Sequence, residues 1–238
     1  MIYAGIMAAG FGVRMHRQDL PKPFLSLGSK PIIIHTLEQF FVNSNVGSIV
    51  VVVAEAWRTY ADDLIRKHNT FGKEVTVIPG GMSKTESISL IVSHLVEMNG
   101  VKEGDVLVIH DAIRPFVTQR MINENIEVAS RHGAASTVMT TNDTIVVSLD
   151  GDRLSEIPTK SRMFAEQTPL AFELNTLSSI FSKAISVGAV LKNETDLLRL
   201  CLRLGEEIHL VKGEYSNSKI INPYDLEIAN ALLTERSK

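Results

Sequence analysis

The run Ser48-Ile-Val-Val-Val-Val-Ala54 sets five β-branched residues in a row and offers no polar side chain after the first. A half-buried strand would alternate apolar and polar residues; this one has no polar face, so both of its faces must be covered. Helices layered on the two sides of a sheet satisfy that demand. The flanking sequence supplies them. Pro31 to Phe41 reads as a helix with proline near its start, Thr59 to His68 as another, and Glu74 to Ile78 as the strand that follows. Strands and helices in alternation imply a parallel sheet with right-handed crossovers. The fold class is α/β, Rossmann-like, a mostly parallel twisted sheet flanked by helices.

A length of 238 residues, 45% of them hydrophobic, suits one α/β domain over residues 1–238. The net charge of −3 gives no basic field, so no nucleic acid is expected as a partner. The single cysteine, Cys201, rules out an internal disulfide, and within LLRLCLRL it reads as a small core residue. No apolar stretch reaches the ~20 residues of a membrane span. The short apolar start lacks a basic flank, so no signal peptide is read there and a cytoplasmic protein is expected.

In open α/β sheets ligands gather at the carboxyl ends of the strands. Ile2 to Met7 reads as a buried strand, and Ala8, Ala9, Gly10, Phe11 and Gly12 follow, with the cations Arg14 and Lys22 beyond. Glycines let main-chain N–H groups approach a phosphate. A dinucleotide fingerprint would need a third glycine where Met15 stands and an acid about 20 residues on, whereas the nearest acid closing an apolar strand is Glu55. A P-loop would end in Gly-Lys-Ser/Thr, which is absent. What remains is a glycine turn with cations after it, suited to a triphosphate. The strand at Glu74 ends in Pro79-Gly80-Gly81, and the helical MSKTESISLIV follows, with Ser83 or Thr85 as its N-cap. A third strand, Asp105 to Ile109, runs into His110-Asp111-Ala112-Ile113-Arg114. Asp111 can hold Mg²⁺ through its carboxylate, and Arg114 can hold an anion bidentately; the alternative is a structural ion pair between them. His110 reads as a packed, hydrogen-bonded histidine rather than a base.

Between residues 140 and 169 the pattern changes. Asp143 to Leu149 and Arg153 to Pro158 flank Asp150-Gly151-Asp152, a hairpin signal. A two-stranded ribbon is marginal alone, so this arm predicts a homodimer, the alternative being a hairpin folded on its own domain. Beyond it, Leu174 to Val187 reads as a helix. A further helix starts near Asn193, with Thr195 as cap and Asp196 near its positive end. Ile208 to Val211 reads as a strand, and a terminal helix from Asn222 carries the apolar stripe Leu226, Ala229, Leu232 and Leu233.

Taken in order, MAAGFGVRM, PK, GG-x-S-K-x-x-S, HDAIRPF, a DT-bearing strand, QTP and GEYSNSKI resemble the CTP-dependent cytidylyltransferases of sugar-alcohol phosphates. The resemblance runs from residue 2 to about 230. It implies transfer of CMP from CTP to a polyol phosphate with release of pyrophosphate, a divalent cation such as Mg²⁺, and a homodimer through the arm. By resemblance, Ala8, Ala9, Gly10, Phe11 and Gly12 wrap the triphosphate, and Arg14 and Lys22 stabilise the transition state. Gly80, Gly81, Lys84 and Ser87 take cytosine and ribose, Lys84 standing where arginine is common. Asp111 is implied as metal and substrate acid, with Ala112 beside the nucleotide. Arg114, Thr168 and Lys219 fall at acceptor-binding positions, and the arm's Thr144 and Lys160 at positions that reach the partner's site.

Two branches of that family differ in acceptor. MIYAGI, IPT-K-x-x-x-F-x-x-QTP and GEYSNSKI look closer to the ribitol 5-phosphate branch, while AAGFG and HDA look closer to the 2-C-methyl-D-erythritol 4-phosphate branch. Lys160 replaces an arginine of both branches, and Pro23 replaces the usual glutamine after Pro-Lys. The favoured acceptor is ribitol 5-phosphate, with 2-C-methyl-D-erythritol 4-phosphate as the alternative. A nicotinamide oxidoreductase is disfavoured by Met15. A non-catalytic nucleotide-binding dimer would have lost Arg14, Lys22 or Asp111, and all three are present.

Overall fold

The structure is a computed structural model that describes residues 1–10, 20–194 and 196–236. In chain order the elements are β1 (Ile2–Met7), β2 (Ser26–Leu27), β3 (Lys30–Pro31), α1 (Ile32–Phe41), β4 (Ser48–Val53), α2 (Arg58–His68), β5 (Glu74–Pro79), α3 (Lys84–Asn99), β6 (Val106–Asp111), α4 (Gln119–His132), β7 (Ala134–Thr140), β8 (Phe164–Glu173), α5 (Leu174–Ser186), α6 (Leu197–Arg203), β9 (His209–Lys212) and α7 (Pro223–Arg236).

Seven strands form one sheet in the order β5-β4-β1-β6-β8-β7-β9. It is parallel from β5 through β6; β8 is antiparallel to both of its neighbours, and β9 is parallel to β7. The mostly parallel sheet read from the sequence is therefore present, with one reversed strand inside it. All six residues of β4 are buried, as its unbroken apolar run demands. Ile49, Val51 and Val53 share a core with Leu37, Phe40 and Phe41 of α1. Val50 and Val52 share the opposite one with Ile88, Ile91 and Leu95 of α3. A third, smaller core joins Leu25, Leu27 and Ile32 to Leu226, Ala229, Leu232 and Leu233 of α7, the stripe expected of that helix. Cys201 is fully buried, and burial pushes its thiol up to about 12, so it is an inert core residue.

From β1 the chain builds outward through β4 to β5 and then returns to place β6 on the other side of β1. The change of direction lies between β1 and β6, whose last residues, Met7 and Asp111, are register partners. A crevice opens at such a point because the following loops diverge to opposite faces.

Some expectations need correction. Ser83, not Thr85, caps α3, accepting from the Glu86 N–H at 3.0 Å. Asp196 caps α6, accepting from the Arg199 N–H at 3.2 Å, and Thr195 lies outside the described residues. The extended hairpin within residues 140–169 reduces to a single antiparallel bridge, Val147 to Glu156, and residues 164–173 belong to the main sheet as β8. Its turn forms as read: Asp150 accepts from the N–H groups of Asp152 (3.0 Å) and Arg153 (2.8 Å), with Gly151 at φ 81°. The arm's apolar side chains are not covered by the chain itself, since Leu149 is 90% exposed, Leu154 61% and Ile157 57%. Among the described residues no helix is long and apolar enough to cross a membrane.

Candidate active site

The crevice is floored by the ends of β1 and β6 and walled by the loops after β1, β5 and β9. Ala8 prolongs β1, its N–H donating to the Val52 carbonyl at 2.8 Å, and Ala9 and Gly10 carry the chain over the opening. Phe11, Gly12 and Arg14 lie outside the described residues. Lys22 opens a short 3-10 turn, Lys22–Phe24, which Phe24 anchors by packing its ring 5.6 Å from Trp57 and 5.2 Å from Tyr60. Pro23 is buried in that turn and lines the crevice.

The glycines after β5 are there for close approach. A Cβ on Gly80 would stand 2.5 Å from the Cβ of Ala9 and 3.0 Å from Val52 Cγ1, so the β1 and β5 loops touch only because Gly80 has no side chain. Gly81 donates its N–H to Ser87 Oγ at 3.0 Å, and that hydroxyl donates to the Ser83 carbonyl at 2.9 Å. Ser87 thus fixes the loop while lining the crevice. The N-terminus of α3 opens beside it, and a helix N-terminus favours anions.

Asp111, with a side chain 7% exposed, sits at the centre. Lys84 Nζ lies 3.1 Å from its Oδ1; Arg114 Nε and Lys219 Nζ each lie 3.2 Å from its Oδ2. One carboxylate among three cations leaves an excess of two positive charges. Burial by itself pushes the Asp111 carboxyl up, but Lys84, Lys219 and Arg114 together outweigh it and hold the group well below the usual carboxylate range. The three cations are not equivalent. The lysine side chains are 33% and 36% exposed and line the crevice, whereas Arg114 is 12% exposed and gives a second donor, NH1, to the Asn217 carbonyl at 2.9 Å. The sequence offers Arg114 as an anion ligand; in the structure it pairs with Asp111 and with the loop after β9.

Behind Asp111 runs a chain of hydrogen bonds. The Asp111 N–H donates to Thr168 Oγ1 at 3.1 Å; Thr168 Oγ1 lies 3.0 Å from His110 Nδ1; and His110 Nε2 lies 3.0 Å from the Arg114 carbonyl. A carbonyl can only accept, so Nε2 carries the proton and Nδ1 accepts from the threonine hydroxyl. Burial lowers the pKa of His110 to about 4, which keeps the ring neutral. His110 is therefore the packed, hydrogen-bonded histidine expected. Thr168, assigned to acceptor binding by resemblance, is 1% exposed with its hydroxyl turned to this chain, so it supports Asp111 from behind. Ala112 is also buried; its N–H goes to the Met7 carbonyl (3.0 Å) and its carbonyl accepts from Thr36 Oγ1 (2.8 Å).

Ala8, Ala9, Gly10, Lys22, Gly81, Lys84, Ser87, Asp111 and Lys219 thus line one crevice of about 540 Å³, large enough for a nucleotide. Thr144 and Lys160 do not line it; Thr144 is exposed on the arm, and Lys160 Nζ donates to the Asn142 carbonyl at 2.7 Å. Sequence reasoning missed Gln167 and Asn217, both buried, which hold the loop bearing Lys219. Their signal was within the quoted motifs, Gln167 opening QTP and Asn217 opening NSKI. Among the described lining residues there is no histidine or cysteine. What the crevice offers instead is positive charge and oriented N–H groups, the equipment for positioning phosphates and neutralising their charge.

The profile of the 2-C-methyl-D-erythritol 4-phosphate cytidylyltransferase family matches residues 2–235. Solved structures superpose along the whole chain. A 4-diphosphocytidyl-2C-methyl-D-erythritol synthase from Anaerococcus prevotii DSM 20548 has TM-score 0.81 and 23% identity, over 98% of this chain and 96% of that one. The Francisella tularensis 2-C-methyl-D-erythritol 4-phosphate cytidylyltransferase gives 0.77 and 24%, over 97% and 98%. The enzyme of that name from Thermus thermophilus gives 0.72 and 23%, over 97% and 98%. At these identities the superpositions establish the fold, and the family rests on the match of residues 2–235. Carrying that match over nearly its whole length, this chain belongs to the 2-C-methyl-D-erythritol 4-phosphate cytidylyltransferase family, whose members are CTP-dependent transferases.

Proposed function

We propose that the chain is a cytoplasmic enzyme that transfers the cytidylyl group of CTP to 2-C-methyl-D-erythritol 4-phosphate, forming the CDP-linked polyol and releasing pyrophosphate. The observation that carries this reading is the family match over residues 2–235. It favours the methylerythritol acceptor over ribitol 5-phosphate, to which MIYAGI, the IPT-K segment and GEYSNSKI point.

In this reaction an oxygen of the acceptor's phosphate attacks the α-phosphorus of CTP; a P–O bond forms, and the bond from the α-phosphorus to the oxygen of the leaving pyrophosphate breaks. No protein nucleophile is needed, and two anions must be brought together. In this reading the loop from Ala8 to Gly12, with Arg14 and Lys22, takes the triphosphate. Gly80, Gly81 and Ser87 border the cytosine and ribose. Lys219 takes the acceptor's phosphate. Lys84, which borders the cytosine and ribose by resemblance, shares Asp111 with Lys219, and in this reading its amine also serves the phosphates.

A divalent cation is general to the family. Among the described residues no cluster of three or more acids, histidines or cysteines could cage one. A single carboxylate fits Mg²⁺, which commonly takes one or two carboxylates and completes its shell with phosphate oxygens and water. Asp111 would hold it, and the bound ion would supply neutralisation of charge on the transferring phosphate. Lys84 and Lys219, exposed toward the crevice, are then available to phosphate oxygens. We further read residues 1–238 as one nucleotidyltransferase domain and the arm at 140–169 as its dimer contact, supported by the uncovered Leu149, Leu154 and Ile157.

Pyrophosphate release with CTP should be measured against 2-C-methyl-D-erythritol 4-phosphate, ribitol 5-phosphate and other pentitol phosphates. The methylerythritol substrate should give the highest kcat/KM. Turnover confined to ribitol 5-phosphate would return the acceptor to the other branch, and none with any acceptor would overturn the enzyme reading.

A further inference from the structure

Between β9 and α7 the chain has no regular structure from 213 to 222, yet it must present the Lys219 amine 3.2 Å from Asp111. It is held there by side chains that do not touch the crevice. Gln167, 9% exposed on β8, pairs with the backbone of Glu214 in both directions: Nε2 donates to its carbonyl at 3.0 Å and Oε1 accepts from its N–H at 3.3 Å. A side-chain amide has the donor and acceptor of a peptide group, so Gln167 does for this loop what a neighbouring strand would do. Oε1 accepts a second bond, from Asn217 Nδ2 at 3.2 Å, and the same Nδ2 donates to the Thr168 carbonyl at 2.7 Å. On the far side of Lys219, the Ile220 N–H donates to the Ile113 carbonyl at 3.0 Å. The lysine is thus pinned from before and after.

Gly213 provides an independent sign that the fit is close. A Cβ there would stand 2.5 Å from Gln167 Oε1 and 3.1 Å from both Met139 Cγ and Thr137 Cγ2, so any side chain at that position would press on the Gln167 amide.

We infer that Gln167 and Asn217 are positioning residues that set Lys219 against Asp111 and so fix where the acceptor's phosphate sits. The inference rests on the reading of Lys219 as the acceptor-phosphate ligand. Positioning of this kind is steep: a shift of about 1 Å in a reacting group can cost on the order of 100-fold.

The test is a double-mutant cycle with CTP and 2-C-methyl-D-erythritol 4-phosphate. Gln167→Met keeps the bulk and removes both bonds to Glu214. It should raise the acceptor KM by about tenfold or more while leaving the CTP KM within about twofold, since the nucleotide loops are untouched. In a Lys219→Ala background the same change should add less than about twofold, because a residue acting through a lysine has nothing left to position. Effects of Gln167→Met and Lys219→Ala that multiply, or a CTP KM that rises as much as the acceptor KM, would overturn the inference. A Lys219→Ala variant with unchanged acceptor KM would instead overturn the reading of Lys219 itself. Should Gln167→Met be unfolded at the assay temperature, Gly213→Ala, which crowds Oε1 and leaves the amide in place, carries the test by the same readouts.

Discussion

His110 shows how a residue beside a charged centre can be kept out of the chemistry. Its ring is buried, neutral and held at both nitrogens, with Nε2–H aimed at the Arg114 carbonyl. The consequence is a stability that depends on pH. The folded histidine titrates near 4 and the unfolded one near 6.5, so as pH falls through 6.5 the unfolded chain binds a proton that the folded chain refuses. Stability should fall between pH 6.5 and pH 4 and level off below, a loss on the order of 3 kcal/mol from this group. Urea midpoints at several pH values should show it for the native chain and a flatter profile for His110→Gln; identical profiles would mean that His110 is not the group responsible. At this scale the sequence disclosed which residue types meet at a strand end, and Lys22, Lys84, Asp111 and Lys219 do meet. It could not disclose which donors are already engaged. Arg114 and Thr168 have the chemistry of ligands, and in the fold each also bonds a protein neighbour, the Asn217 carbonyl and His110 Nδ1.

Among the elements, the contact between the loops after β1 and β5 is a close constraint on the crevice. Gly80→Ala would drive a methyl into the Ala9 Cβ and against Val52. Overpacking of this kind costs about 1–3 kcal/mol, and because Ala9 and Gly10 line the crevice it should also weaken CTP binding. Thermal melting and a CTP titration check both, and an unshifted melt would show that the loops have room to part. Elements with one strong local signal were legible. β4 had its β-branched run, α1 its proline entry, and α7 its stripe, whose period of 3.6 locates a core without knowledge of what fills it. β7 and β8 were not, because they are specified by what they pack against, whereas α4 carried local signals that went unread, Thr118 as its cap, Gly133 at its end and the buried stripe Met121, Ile122, Asn125, Ile126 and Ala129. β8 is antiparallel between two strands and accepts its register from them, including a shift between Ser136 and Val138 that no local pattern announces. The Asp150-Gly151 turn was legible for the opposite reason, being closed by Asp150's own carboxylate.

At the scale of the whole molecule, the arm has apolar residues without a cover and only one bridge to hold it. A ribbon of that kind gains stability from burial against another surface, and a second copy of the chain is the reading adopted above. Deleting residues 144–160 should halve the mass seen by light scattering, and a dimer that persists would place the contact elsewhere. The site proposed above, too, is spread over the chain, since Lys84, Asp111 and Lys219 come from the start of α3, the end of β6 and the loop after β9, and meet only when the sheet is complete. The ring packing beside Lys22 has one more consequence, an optical one. Trp57 is the chain's single tryptophan, and it leans on Phe24, two residues from the lysine that opens the turn. Ultraviolet emission from the entire protein is therefore dominated by one indole packed behind the turn that Lys22 opens, so the molecule carries its own fluorophore one side chain away from a residue read to take the triphosphate.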